Sequence, residues 1–333
     1  MPQTIPLRWG ILGCASIARR AVVPGIRASR TGVVAAVASR SLDKAEAFAE
    51  AAGIPQAYGS YEALLDDPDI DAVYIPLPNH LHKEWTIRAA QAGKHVLCEK
   101  PAALNADEAR EMVEACRQAG VHFAEAFMYR HHPRYRRIRE IIASGEIGAI
   151  RGIHGAFTFN NAGDSANVRY RRDWGGGSLY DVGVYPISAA RYILGTEPEA
   201  ATVHAYFSPE HDGVDMMASG LIEFHGSVAL TFDCGMWAHG RNTLEILGTE
   251  GRIELPSAYV CPPDRPSAFD VVVRGERRTE TMPAVNQYAL QADDFAEAVW
   301  GGAALFPADD AVRGMAVIDA CLKSARERAR VAL

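Results

Sequence analysis

Two short stretches of the sequence carry side chains whose types and spacing suit proton transfer. The first is Glu99-Lys100-Pro101, which places a lysine where an apolar run stops. The second is GGGSLYDVGVYP, Gly175 to Pro186, where Asp181 and Tyr185 stand four residues apart and share one face of a helix. A phenol ionises only near pH ~10 in water, too high for acid–base work at neutral pH. A neighbouring ammonium favours the phenolate and brings it toward working pH. Lys100, Tyr185 and Asp181 are therefore the expected catalytic set, with Asp181 positioning the lysine or a substrate hydroxyl. Each also has a plainer reading. A strand-end lysine can be a surface charge, Asp181 can serve a helix macrodipole, and Tyr185 can be a packed aromatic.

The elements that must hold these residues follow from the hydrophobic pattern. Up to about Phe127, apolar runs at 7–13, 33–38, 72–75, 95–98 and 121–127 alternate with amphipathic stretches reaching 28 and spanning 42–52, 80–92 and 106–119. Short apolar runs between helices are strands buried on both faces of a parallel sheet, and Gly53, Gly93 and Gly120 stand where helices should stop. The pattern predicts an α/β fold with an N-terminal doubly wound Rossmann domain over 1–127. In such a sheet the strand C-termini face the ligand crevice, which points Lys100 at a cofactor. From about Ala149 the runs lengthen and alternate, at 151–159, 200–207, 220–224, 228–233, 243–247 and 270–273. They read as an antiparallel or mixed sheet with one covered face, in a C-terminal domain over 128–333 with helices near 133–143 and 180–194 and two more at the end. The proline-bearing stretch 257–267 reads as a surface loop.

The first strand runs into Gly13-Cys14-Ala15-Ser16-Ile17-Ala18. Set against the dinucleotide fingerprint, Gly13 supplies the tight turn, Ala15 stands where the pyrophosphate approaches, and Ala18 packs helix on sheet. The phosphates are expected on the N–H groups of the helix that follows. The second strand ends in Ser39-Arg40-Ser41, with no acidic residue before Asp43 to accept a ribose 2′-hydroxyl. A hydroxyl and a guanidinium suit a 2′-phosphate instead, and Lys44 adds a cation one turn on. NADP is the expected cofactor, with NAD the alternative.

A net charge of -7 argues against a nucleic-acid partner. The densest basic cluster, Arg134, Arg136, Arg137 and Arg139, reads as the solvated face of a helix. Six scattered cysteines without a C-x-x-C pair read as reduced thiols of a cytoplasmic protein. No export signal shows at the start, no apolar run approaches the roughly 20 residues of a membrane span, and no membrane partner is expected. His80, His131 and His132 lack an acidic partner at metal spacing, so no metal is expected.

AGKHVLCEKP together with GGGSLYDVGVYP resembles the Gfo/Idh/MocA oxidoreductases, and the resemblance extends through PLPNHLH at 76–82 and Asn286-Gln287-Tyr288. It implies a Rossmann domain with a C-terminal α+β domain built on an open-faced, mainly antiparallel sheet, a homodimer or homotetramer formed through that sheet, NAD or NADP, and Lys100 as the catalytic lysine. Tyrosine rather than histidine at 185 resembles the branch of glucose–fructose oxidoreductase, xylose dehydrogenases, dihydrodiol dehydrogenases and sugar 3-ketoreductases. Leu77, Asn79, His82 and Glu99 match positions beside the nicotinamide, and Trp174 and Tyr288 match looser elements near the same crevice. The expected activity is hydride transfer between the nicotinamide and a carbonyl or hydroxyl carbon of a sugar-like small molecule. Aldose oxidation and keto-sugar reduction both fit. The alternatives are a non-catalytic nucleotide-binding sensor and a glycosidase using NAD as a redox catalyst.

Overall fold

A computed structural model describes residues 5–164 and 166–333. The chain divides into two compact units. The first takes the chain up to His131 together with Asn286–Val312, and the second takes His132–Val285 with Arg313–Leu333. This departs from a single cut after residue 127, because a late segment returns to the first unit.

Six parallel strands form the first unit's sheet: β1 (Leu7–Leu12), β2 (Gly32–Ala38), β3 (Gln56–Tyr58), β4 (Ala72–Ile75), β5 (His95–Cys98) and β6 (Phe123–Glu125). Their order is β3-β2-β1-β4-β5-β6, so the winding reverses between β1 and β4, where a doubly wound sheet opens its ligand crevice. Every residue of β4 is buried, as a strand covered on both faces requires. The glycines expected to end helices, Gly53, Gly93 and Gly120, all take positive φ. β3 has no apolar run of its own and escapes a pattern search. The returning segment carries the helix Gln287–Val299, whose Phe295 ring lies 4.9 Å from the fully buried Trp9 ring. On the same helix Asp293 accepts hydrogen bonds from the Arg30 N–H (2.9 Å) and the Thr31 hydroxyl (2.7 Å). Core packing and buried polar contacts thus tie this helix to β1 and β2.

The second unit is built on a nine-stranded sheet. Its strands are β7 (Ile150–Asn160), β8 (Pro198–Phe207), β9 (Asp215–Phe224), β10 (Val228–Gly235), β11 (Trp237–Gly248), β12 (Gly251–Leu255), β13 (Ser267–Val273), β14 (Glu276–Met282) and β15 (Val331–Ala332). The order is β14-β13-β12-β11-β7-β10-β9-β8-β15, antiparallel except where β7 runs beside β10. Along β10, Leu230, Phe232 and Cys234 are buried while Thr231 and Asp233 are not, the alternation of a sheet with one covered face.

Two expectations fail in part, and for one reason: Arg136 and Arg139 are exposed as the pattern implies, but Arg134 is not. Arg134 is fully buried, not on a solvated helix face, and the 257–267 segment is not wholly at the surface, since Ala258 and Tyr259 are fully buried. The Arg134 guanidinium enters this segment, donating to the carbonyls of Ser257 and Ala258 and to Cys261 Sγ. A buried arginine whose donors are spent on backbone carbonyls replaces the strand ladder that an irregular buried segment lacks. Arg137 behaves differently again, pairing with Glu280 of β14 at 3.1 Å.

Candidate nucleotide and proton-transfer site

β1 ends at the glycine turn. Gly13 takes φ +114, and a Cβ there would stand 2.9 Å from Leu77 Cδ2, so the position excludes other residues twice over. Leu77 follows β4, which places the turn at the reversal point of the sheet. Beyond it the helix opens through a π-helical turn at Ala18–Val22 with no side-chain cap, leaving its leading N–H groups for an anion. Cys14 and Ser16 are exposed, Ala15 and Ile17 half-buried, and Cys14 Sγ lies 3.5 Å from the Lys44 carbonyl oxygen.

At the end of β2, Ser39 is nearly buried, while Arg40 and Lys44 are exposed. Ser41 caps the helix Leu42–Ala52 by accepting from the Lys44 N–H. No carboxylate among the described residues pairs with Arg40. Its guanidinium acts on Tyr61, whose phenol burial pushes up and Arg40 pulls back. Sequence reasoning missed Tyr61, which opens the short helix Tyr61–Leu65. The donor set and the glycine cradle fit a dinucleotide with a 2′-phosphate.

β5 delivers Lys100. The Lys100 N–H donates to Glu99 Oε2 at 3.2 Å, and the fully buried Tyr74 hydroxyl donates to Glu99 Oε1 at 2.5 Å. Glu99 in turn raises Tyr74 and Tyr288, in which burial is the larger cause. Tyr288 therefore stands by the Lys100 loop, packed so tightly on the first helix that a Cβ at Gly25 would lie 2.5 Å from its own. His82 is fully buried, with Nδ1 2.9 Å from the Pro101 carbonyl oxygen and Nε2 2.8 Å from that of Leu77, and burial lowers its pKa. Its ring ties the loop after β4 to the loop carrying Lys100. Asn79 is half-buried in the turn Asn79–Leu81 that follows β4.

The remaining candidates belong to the second unit. Trp174 ends a short turn, with the Arg171 guanidinium 5.0 Å from its ring centroid. Ser178 then starts a helix that passes through a second π-helical turn, Leu179–Gly183, into Val184–Leu194. Asp181 lies in the π-helical turn and Tyr185 just beyond it. The Asp181 carboxylate is engaged by Arg169, whose Nε donates to Oδ2 at 2.6 Å and whose pKa the carboxylate raises. The expectation of Asp181 acting on a lysine or substrate hydroxyl omits this partner. Tyr185 is buried, its ring 5.1 Å from Phe157 and 5.5 Å from Tyr259. The ring is thereby fixed by packing as well as by its helix.

A doubly wound sheet with an uncapped glycine turn at its reversal point and a lysine at a strand end defines a dinucleotide-binding oxidoreductase fold. Residues 7–127 match the oxidoreductase family with an NAD-binding Rossmann fold, and 135–254 match the GFO/IDH/MocA C-terminal domain. The chain is 41% identical over 305 residues to an uncharacterized oxidoreductase of Rhizobium meliloti, covering 90% of each. It is 39% identical over 329 residues to the D-xylose 1-dehydrogenase (NADP(+)) 2 of Haloferax volcanii, covering 98% of this chain and all of that one. Among solved structures, a 3-ketoreductase from Actinomadura kijaniata in complex with NADP and TDP-benzene superposes with a TM-score of 0.90 at 33% identity, covering 96% of this chain and 98% of that one. The chain belongs to the Gfo/Idh/MocA oxidoreductase family.

Proposed function

We propose that the protein is an NADP-dependent oxidoreductase acting between a carbonyl and a hydroxyl carbon of a sugar or related polyol. When bound, the nicotinamide accepts or supplies the hydride. Lys100 and Tyr185 handle the hydroxyl proton, and Asp181, paired with Arg169, fixes the polar surroundings of Tyr185. The observation that carries this reading is the construction around Lys100. Its backbone is fixed by Glu99, and the proline after it is held by the buried His82. A relative named as an NADP-dependent D-xylose 1-dehydrogenase and a 3-ketoreductase solved in complex with NADP add to it. Arg40 without an acidic partner supports NADP over NAD.

Steady-state rates across aldoses, keto-sugars and polyols, each with NADP(H) and NAD(H), test the proposal. Turnover on at least one sugar, with higher kcat/KM for the phosphorylated cofactor, is expected. Tight NADP binding without turnover on the whole panel would favour a nucleotide sensor instead.

The open face of the second unit's sheet is proposed to form a homodimer or homotetramer. Tyr206 and Trp237 stack there 4.7 Å apart while 46% and 40% exposed, and Leu221, opposite Thr202 in the β8–β9 register, is exposed too. Sedimentation equilibrium on Trp237→Asp, which should shift mass toward the monomer, checks this. A cytoplasmic location is in keeping with six free cysteines. No helix among the described residues is long and apolar enough to cross a membrane.

A further inference from the structure

The helix carrying Asp181 and Tyr185 has no cap from its own side chains; Ser178, at its start, accepts no capping hydrogen bond. Its first turn is closed from a distance by Asp215, the first residue of β9. Asp215 Oδ2 accepts from the Ser178 hydroxyl at 2.7 Å and from the Leu179 N–H at 2.7 Å. The nearby N–H groups of Ser178 and of Asp215 itself also favour the charged carboxylate. It comes so close that a Cβ at Gly177, which takes φ +121, would lie 2.0 Å from Oδ1. Ser178 is fully buried, and Asp215 nearly so.

A local serine or aspartate cap closes a helix start cheaply at the surface. A carboxylate sunk in the protein is costly by comparison. The groups facing it are Ser178 and Leu179 of the helix start, Phe207 opposite in β8, and the Cys234 thiol of β10, 3.5 Å from the Ser178 hydroxyl. Burial pushes the Cys234 thiol well up, so it supplies no charge at neutral pH. Burial also pushes the Asp215 carboxyl up to about 6, against the hydrogen bonds that pull it down. The ion thus lowers the stability of the fold while it organises the helix start.

We propose that Asp215 is a positioning residue for the reaction, holding the start of the helix in the arrangement that presents Asp181 and Tyr185. This rests on the reading that Tyr185 serves in proton transfer. Ionised, Asp215 accepts from every donor at the turn; protonated, it must donate in one direction, and the turn loosens. Turnover should therefore fall on the acid side.

The test measures kcat, KM, NADP affinity and thermal unfolding for Asp215→Asn, Asp215→Ala, Ser178→Ala and Tyr185→Phe. An amide at 215 turns its NH2 toward N–H donors, so kcat should fall about tenfold in Asp215→Asn, about hundredfold in Asp215→Ala and a few-fold in Ser178→Ala. NADP affinity should stay within about twofold, and the unfolding temperature of Asp215→Asn at pH 7.5 should match or exceed the wild type. The acid limb of the wild-type kcat profile should be absent in Asp215→Asn. Wild-type kcat with an unchanged acid limb in Asp215→Asn overturns the proposal. So does a parallel loss of stability, affinity and turnover across Asp215→Asn and Ser178→Ala, which marks a purely structural role. If Tyr185→Phe keeps wild-type turnover, the underlying reading fails instead. An inactive Tyr185→Phe beside a fully active Asp215→Asn sinks only the role of Asp215.

Discussion

Two helix starts, one in each unit, are made by the same local device and used in opposite ways. Each follows a glycine with positive φ, Gly13 at +114 and Gly177 at +121, and each passes through a π-helical turn, Ala18–Val22 or Leu179–Gly183. The first has no side-chain cap and offers its N–H donors outward, which is how a helix start takes a phosphate. The second has its donors filled by Asp215, a negative charge supplied by the protein. The first start is therefore built to bind, and the second to hold Asp181 and Tyr185 in place. What separates the roles is the source of the anion, and the helix geometry is shared. π-helical turns often sit at functional sites, and here both do.

Four measurements break or sharpen that contrast. Lys100→Met touches neither start, so kcat should fall about a thousandfold or more with NADP affinity held within about tenfold. Loss of binding with unchanged chemistry contradicts the role given to Lys100. Gly13→Val attacks the binding start alone, combining a disfavoured φ with a clash on Leu77. By titration, NADP affinity should drop about hundredfold while kcat at saturation changes only a few-fold. Arg40→Ala removes the expected 2′-phosphate partner, so NADP should weaken about thirtyfold and NAD about twofold or less. Equal losses for both nucleotides sink the 2′-phosphate argument.

The smallest effect concerns stability. A carboxyl whose folded pKa is raised from 3.8 to about 6 stays protonated in the folded chain while the unfolded chain ionises. Stability therefore falls as pH rises from the unfolded value to about 6, and levels off above it. Between pH 5 and pH 7.5 about one pKa unit of that window is crossed, a decline of about 1 kcal/mol from Asp215. Urea unfolding at the two pH values should show this contribution missing in Asp215→Asn; an identical decline in both proteins assigns it elsewhere.

Much of the first unit is legible in the sequence because its signals are local. A four-residue apolar run fixes the end of β5, and Lys100 follows from it without knowledge of any distant residue. The spacing of Asp181 and Tyr185 is equally local, and the helix it implies is present, though nothing in the letters marks a π-helical turn. Residues whose role lies with a distant partner were not legible. Asp215 meets Ser178 across 37 positions, and Arg134 meets the Ala258 carbonyl across 124. On periodicity alone Arg134 looks like any helix-surface arginine. Nor do the letters around His82, a candidate cofactor residue, show that both its ring nitrogens lie on backbone carbonyls. β14, with hardly a buried residue, has no apolar face for a pattern to find.

The return of Asn286–Val312 to the first unit has a consequence for how the protein is made. Synthesis runs from the N-terminus, and domains commonly fold as soon as they emerge. Here Trp9 waits for Phe295, and Thr31 and the Arg30 backbone wait for Asp293. The nascent chain therefore carries an unsealed apolar surface on this sheet until the helix Gln287–Val299 has left the ribosome. A chain stopped before Asn286 keeps the glycine turn and Lys100 but lacks the helix that closes the core beneath β1. That open surface is what chaperones and proteases recognise, so synthesis through this late helix is checked at β1.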